Sequence, residues 1–205
     1  MSHSVKKALE HFKVHDPVLY QVALTVELAE LAPRSDHFYS LVRAITNQQL
    51  SGKAADTIYS RIVKLLPEER LEAAEILKLK DEALRGAGLS YAKISYLKDL
   101  AQKTVDKEIP FSSLDALSEE EVILELTKIK GIGRWSAEMF LMFHLARPDV
   151  FSYGDLGLKN AIVKIYGLEK HPTPKEAEEI TGKWSPFRTY GSKILWLSLD
   201  NAPKA

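Results

Sequence analysis

Apolar residues recur at spacings of three and four along almost the whole chain, the pattern of amphipathic helices packed on one another. Residues 5–12 make a short amphipathic start. Asp16-Pro17 supplies a cap and a first-turn proline. The helix it opens carries Val18, Val22, Leu24, Val26, Leu28 and Leu31, and Pro33 ends it. Asp36 caps the next, with Phe38, Leu41, Val42 and Ile45 on one face. Ser51 caps a further helix through Ala54, Ala55, Ile58, Ile62 and Leu65, closed by Pro67. Short helices follow over 71–79 and 81–85, and Gly86-Ala87-Gly88 breaks the pattern. Ser90 opens a helix with Ile94, Leu97, Leu100 and Ala101. Ser118-Glu119-Glu120-Glu121 is a capping box for Val122, Ile123 and Leu126. Helices starting near Gly133, Leu158 and Thr173-Pro174 and one over 189–199 complete the chain. No stretch alternates as a strand would, so the expected fold class is all-α.

Three interruptions stand out. Polar amides at Asn47-Gln48-Gln49-Leu50-Ser51-Gly52 break one apolar pattern. Arg147 to Leu158 is dense in Gly and Pro and reads as a loop. Between them lies Ile129-Lys130-Gly131-Ile132-Gly133-Arg134-Trp135-Ser136-Ala137, a turn with two glycines one residue apart. Lys128, Lys130 and Arg134 surround it, and no acid occurs from Leu126 to Ala137. A turn this short needs Gly where φ is positive or the backbone must approach something closely. The helix starting near Gly133 points its first N–H groups outward, a ready phosphate site. The segment reads as helix, hairpin, helix presented to nucleic acid, or as an ordinary tight helix–helix turn.

Composition narrows the picture. With 205 residues and 45% hydrophobic content, the chain can bury one large or two small cores. Zero cysteines exclude disulfides, a thiolate zinc site and an iron–sulfur cluster. The six histidines show no metal-ligand spacing. No signal peptide or membrane-crossing run is evident. The 28 basic and 28 acidic residues cancel, so any nucleic-acid face must come from uneven distribution, with Glu68–Glu75 and Lys175–Glu179 on the far side.

Within the Gly/Pro-rich loop, Asp155 directly precedes a helix. It reads as that helix's N-cap or as a reactive carboxylate, with Asp149 the weaker candidate. Gln48 and Gln49 read as a hydrogen-bonded helix junction or as a loop that enters DNA.

The order of these features resembles the helix-hairpin-helix DNA glycosylase superfamily. Within it, G-I-G-R-W-S-A, D-L-G-L, Q-Q-L-S, G-L-S-x-x-K and W-S-P-F-R-T-Y resemble 3-methyladenine DNA glycosylase II over residues 16–199. The resemblance implies two helical lobes with a DNA-binding cleft between them: residues 1–34 with 119–205, and a central lobe of 35–118. It implies the compact form, without the N-terminal β-rich domain of larger bacterial relatives. It implies release of alkylated bases from double-stranded DNA by hydrolysis of the N-glycosidic bond.

Site roles follow from the same resemblance. Asp155 matches the catalytic aspartate. Trp135 stands where strand-nicking relatives carry a Schiff-base lysine, so no lyase step is expected. Trp135, Trp196 and Met139 line the base pocket, while Trp184 reads as structural. Lys128, Lys130, Gly131, Gly133, Arg134 and Ser136 hold DNA. Gln48, Gln49, Leu50 and Ser51 form a wedge loop, with Leu50 filling the gap left by a flipped base. Backbone carbonyls of Thr127, Ile129 and Ile132 would hold Na⁺ or K⁺; no other cofactor is expected. A monomer is expected, cytoplasmic and nucleoid-associated in a prokaryote. The alternatives are a noncatalytic helix-hairpin-helix module, for which a carboxylate at 155 has no use, and a sister glycosylase for deaminated or mismatched bases.

Overall fold

The computed structural model describes residues 3–50 and 52–199. These form twelve α-helices and three short 3₁₀ turns, with no strand among the described residues. In chain order the helices are α1 His3–His15, α2 Pro17–Ala23, α3 His37–Asn47, α4 Gly52–Lys64, α5 Ala73–Lys78, α6 Asp81–Ala87, α7 Tyr91–Val105, α8 Glu119–Thr127, α9 Arg134–Phe143, α10 Leu156–Tyr166, α11 Pro174–Thr181 and α12 Arg188–Ser198.

Most boundaries sit where cap chemistry places them. Ser90 accepts from Lys93 N at 3.2 Å to start α7. Ser118 with Glu121, and Thr173 with Glu176, form complete capping boxes for α8 and α11. Two expectations need correction. Asp36 occupies the N-cap position of α3, but its side chain makes no capping bond. The second helix does not run to Pro33 and stops at Ala23, where Thr25 Oγ1 takes the Val22 carbonyl at 2.8 Å. Beyond Ala23 no residue up to Pro33 is buried, so a longer helix would have no face to bury. Ser51, expected to cap α4, lies outside the described residues.

The chain divides into two compact units: Met1–Pro33 with Leu141–Ala205, and Arg34–Phe140. The second boundary falls inside α9, whereas the resemblance placed it at residue 118. The reason is local: the hairpin after α8 is bonded to α7 and to the end of α3, so residues 119–140 group with the central helices.

In the first unit, Val5, Ala8, Phe12, Leu19, Leu158, Ala161, Ile162, Trp184, Ile194 and Leu195 are buried together. Each of the larger ones contributes about 1.5–3 kcal/mol. At the edge of this core Asp16 is 5% exposed and accepts three bonds: Leu19 N at 3.0 Å, Tyr166 Oη at 2.7 Å and Trp184 Nε1 at 2.8 Å. A buried carboxylate is tolerated when its lone pairs are filled in this way. It ties α2, α10 and the turn before α12 together, and Trp184 is structural as expected.

In the second unit, Leu41, Val42, Ile45, Ile62, Ile76, Leu84, Ile94, Leu97, Leu100, Val122 and Leu126 form the core. α5 and α3 both pack along α7, which makes α7 the central strut.

Candidate active-site loop and DNA-contacting hairpin

The loop between α9 and α10 is held in shape from below by the start of α12. Asp149 Oδ1 accepts from Arg188 N at 3.1 Å and Nε at 2.9 Å. Its Oδ2 accepts from Arg188 Nη2 at 3.2 Å and Ser185 Oγ at 2.8 Å. Four donors fill the acceptor capacity of a carboxylate, two of them in a bidentate guanidinium fork. Thr189 adds three more ties: its Oγ1 donates to Arg147 O at 2.6 Å and accepts from Val150 N at 3.0 Å, and its N donates to Pro148 O at 2.9 Å. Asp149 is thereby a lock on the loop. Sequence reading missed Arg188 and Thr189; the W-S-P-F-R-T-Y motif contains both.

Asp155 sits at the other end of the same loop, 8% exposed. It is the N-cap of α10, accepting from Leu158 N at 2.8 Å on Oδ1. The same oxygen accepts from Trp196 Nε1 at 3.0 Å. Two donors at fixed directions set the plane of the carboxylate. Trp196 is 2% exposed and rests against the Phe143 ring at 5.7 Å. Gly157 keeps this arrangement open. A Cβ there would stand 3.1 Å from Asp155 Oδ1 and 3.3 Å from the Trp196 ring. Alanine in the D-L-G-L motif would thus crowd both groups by a few tenths of an ångström, a pressure visible only once Trp196 is in place.

The hairpin between α8 and α9 belongs to the other unit. Ile132 N donates to Ile129 O at 3.1 Å, closing a four-residue turn with Gly131 at its third position and φ of +81°. That position of a type II turn favours glycine. Space forbids anything else, since a Cβ on Gly131 would lie 2.2 Å from the Tyr96 ring. Gly133 is different: its φ is not positive, and a Cβ there would meet nothing within 4 Å. The fold itself does not require that glycine. α9 starts just after it, with Ala137 N bonded to Gly133 O at 3.1 Å.

The cations around the turn are engaged, which the local sequence did not reveal. Arg134 bonds Glu120, with Nη1 at 3.2 Å, and Glu138, with Nε at 3.1 Å. The Arg134 hydrogen bond holds the Glu120 carboxyl below the usual range. Lys128 pairs with Glu125 at 2.6 Å. Lys130 donates its N–H to Asp99 Oδ2 at 2.9 Å, and its Nζ lies 3.7 Å from Asp99 Oδ1. The Arg134–Glu120 pair is exposed on both sides and worth about 0–1 kcal/mol, whereas Glu138 and Asp99 are largely buried acids that hold Arg134 and Lys130 from within the fold. Trp135 is 47% exposed at the start of α9, and Met139 follows one turn later on the same face. Ser136 is half-buried.

The amide-rich stretch after α3 is a second turn of the same kind. Leu50 N donates to Asn47 O at 3.1 Å, Gln48 has φ −49° and ψ 125°, and Gln49 has φ +56°. Leu50 is 40% exposed. Gln48 turns inward and its Nε2 donates to Gly131 O at 2.8 Å. Ser51 lies outside the described residues. Among the described residues no cluster of His, Cys, Asp or Glu could hold a metal, and no helix is long and apolar enough to cross a membrane.

A family model described as HhH-GPD superfamily base excision DNA repair protein matches residues 42–187. DNA-3-methyladenine glycosylase 1 of Schizosaccharomyces pombe is 36% identical over 165 residues, 80% of this chain and 72% of that protein. The alkylbase DNA glycosidase-like protein mag2 of the same yeast is 31% identical over 196 residues, 93% of this chain and 92% of that protein. Among solved structures, a DNA-3-methyladenine glycosidase from Bacillus halodurans superposes with a TM-score of 0.80 at 36% identity, over 95% of this chain and 88% of that one. The S. pombe 3-methyladenine DNA glycosylase Mag1, in complex with abasic DNA, superposes with a TM-score of 0.77 at 32% identity, over 93% and 95% of the two chains.

Proposed function

Because the chain belongs to the HhH-GPD superfamily of base excision DNA repair proteins, we propose that it excises alkylated bases of the 3-methyladenine type, with Asp155 as the catalytic carboxylate. The observation that carries this reading is the fixed, largely buried carboxylate at the head of α10, held on Oδ1 by Leu158 N and Trp196 Nε1. The two relatives named for alkylated or methylated bases support the substrate class.

The chemistry suits one carboxylate. As the C1′–N bond breaks, its electron pair leaves with the base and positive charge builds on the sugar. A cationic alkylated base departs neutral and needs no proton. The Asp155 carboxylate stabilises the sugar cation electrostatically. It then takes a proton from the water that adds to C1′. The product is an abasic site. A lyase step needs a lysine amine to attack C1′. Trp135 at the matching position supports a reaction that ends at hydrolysis.

The remaining residues divide the work of recognition. The N–H groups after Gly133 take a phosphate at the start of α9. The open space over Gly133 supports this, since the glycine has no use inside the fold. Lys128, Lys130 and Arg134 meet the DNA backbone. Leu50, exposed on its turn, enters the stack, and Gln49 meets the opposite strand. Trp135 and Met139 offer an aromatic and a polarizable wall to a cationic base.

Thr127 closes α8, where the last carbonyls lack intrahelical donors. The carbonyls of Thr127, Ile129 and Ile132 would hold Na⁺ or K⁺ there, with Ile129 O using the lone pair that the Ile132 N–H leaves open, and the cation would add positive charge to the hairpin. The protein acts as a monomer.

The test is incubation of the purified chain with methylated duplex DNA, followed by analysis of released bases and of the strand before and after alkali. Release of methylated base with breaks appearing only after alkali is the expected result. Breaks without alkali would contradict hydrolysis as the end point, and no base release would overturn the activity.

A further inference from the structure

α7 carries three residues whose contacts the catalytic reading leaves unused. Lys93 Nζ donates to Thr46 O at 2.8 Å and to Gln48 O at 2.6 Å. Tyr96 lies against Gly131 so closely that no side chain fits there. Asp99 accepts the N–H of Lys130 at 2.9 Å. These residues are three apart down one side of one helix, spanning about 9 Å of its axis. The two turns they touch are the Asn47–Leu50 turn and the glycine hairpin. Gln48 Nε2, bonded to Gly131 O at 2.8 Å, ties the turns directly to each other. All of these residues belong to the Arg34–Phe140 unit.

We infer that α7 is the ruler that sets the wedge turn at a fixed distance from the phosphate-binding hairpin, with Lys93 as the positioning residue for Leu50. This rests on the reading of Leu50 as the wedge. An ammonium at the end of α3 would stabilise that helix's orphan carbonyls in any case. Lys93 does more, since its second acceptor, Gln48 O, is outside the helix and in the turn. That turn places Gln49 at φ +56°, a conformation costly for a residue with a Cβ. Such a conformation persists only when its surroundings over-determine it. Lys93 on one carbonyl and Gly131 on the Gln48 side chain supply that determination. Burial lowers the Lys93 pKa from its usual value, as expected of an ammonium drawn out of water to serve carbonyls.

The position matters because a wedge works only when a base must be driven from a paired stack. A lesion facing an abasic-site analogue is already unpaired and costs less to extrude. Lys93→Met keeps the length of the side chain and removes its donors. Two measurements test it. Hydrogen exchange on the free protein reads the Leu50 amide, which is expected to exchange at least tenfold faster in Lys93→Met while the Leu97 amide in mid-α7 is unchanged. Single-turnover excision is then compared on methylated base opposite its normal partner and opposite the abasic analogue. The variant is expected to lose at least tenfold on the first and less than threefold on the second. Unchanged exchange at Leu50, or equal losses on both substrates, would overturn the inference. Gln48→Ala, which removes only the tie to Gly131, is expected to move both readouts in the same direction. Wild-type excision of both substrates tests the enzymatic reading separately, and the exchange result stands whether or not that reading holds.

Discussion

Trp196 donates its indole N–H to Asp155 Oδ1 at 3.0 Å, joining two residues 41 positions apart in the chain. The residue expected to line the base pocket is thus fixed by the carboxylate read as catalytic, a pairing the sequence did not indicate. Trp196→Phe keeps an aromatic ring and removes the donor. Hydrogen bonds to charged groups are worth about 1.5–3 kcal/mol, so single-turnover excision should fall by about tenfold or more with little change in DNA affinity. A raised KM with unchanged kcat would make Trp196 a wall of the pocket and nothing more.

Gly157 and Gly154 form a matched pair. A methyl group at 157 would press on both Asp155 and Trp196, while at 154 it would meet nothing within 4 Å. Gly157→Ala should therefore lower excision by about tenfold through displacement of the carboxylate, the scale of a misplaced reacting group. Gly154→Ala should leave it unchanged. Rates measured side by side under single-turnover conditions decide this; equal rates for the two variants would remove Gly157 from the site.

The hairpin glycines separate in the opposite sense. Gly131→Ala forces a Cβ onto φ +81° and into Tyr96, and should cost roughly 2–3 kcal/mol of stability in thermal or urea unfolding. Gly133→Ala should leave stability within about 0.5–1 kcal/mol. It should nonetheless weaken binding to undamaged duplex DNA by about tenfold, measured by fluorescence anisotropy, because its methyl group would occupy the proposed phosphate site. Intact binding by Gly133→Ala would move the phosphate site elsewhere.

The three interruptions in the hydrophobic pattern fall on the Asn47–Leu50 turn, the glycine hairpin and the loop before α10, and cap residues such as Ser90, Ser118 and Thr173 were readable because they act within four residues. The long-range ties were not readable. Asp149 and Asp155 are both acids in one loop; only the folded chain brings Arg188 to the first and Trp196 to the second. The run without acids around Gly131 looked like free positive charge, yet Glu120, Asp99 and Glu138 reach it from three helices. The end of α2 was misjudged because Leu24, Val26, Leu28 and Leu31 keep a helical spacing although no partner surface covers them. Periodicity reports a face that could be buried, and burial itself is a tertiary fact.

Tyr166 gives a pH-dependent prediction. Burial first, and then its bond to Asp16, raise its pKa well above the ordinary phenol value. The folded chain therefore keeps this proton after the unfolded chain has released it. The stability it contributes is fully present below pH ~10 and is lost as pH rises above that. Tyr166→Phe should cost about 1–3 kcal/mol at neutral pH, since Asp16 loses a donor. It should also flatten the alkaline fall in stability by up to ~1.4 kcal/mol per pH unit. Urea unfolding at pH 7 and between pH 10 and 11 checks both; parallel alkaline slopes would contradict the assignment.

Asp155→Asn is the most direct measurement of the catalytic claim, because asparagine caps a helix as well as aspartate does, so α10 keeps its start while the charge disappears. Release of methylated base in a single turnover should drop by about a hundredfold or more, the scale of losing one preorganised electrostatic group, with affinity for abasic duplex retained. Base release within a few-fold of the unmodified protein would show that the sugar cation is stabilised by something other than Asp155.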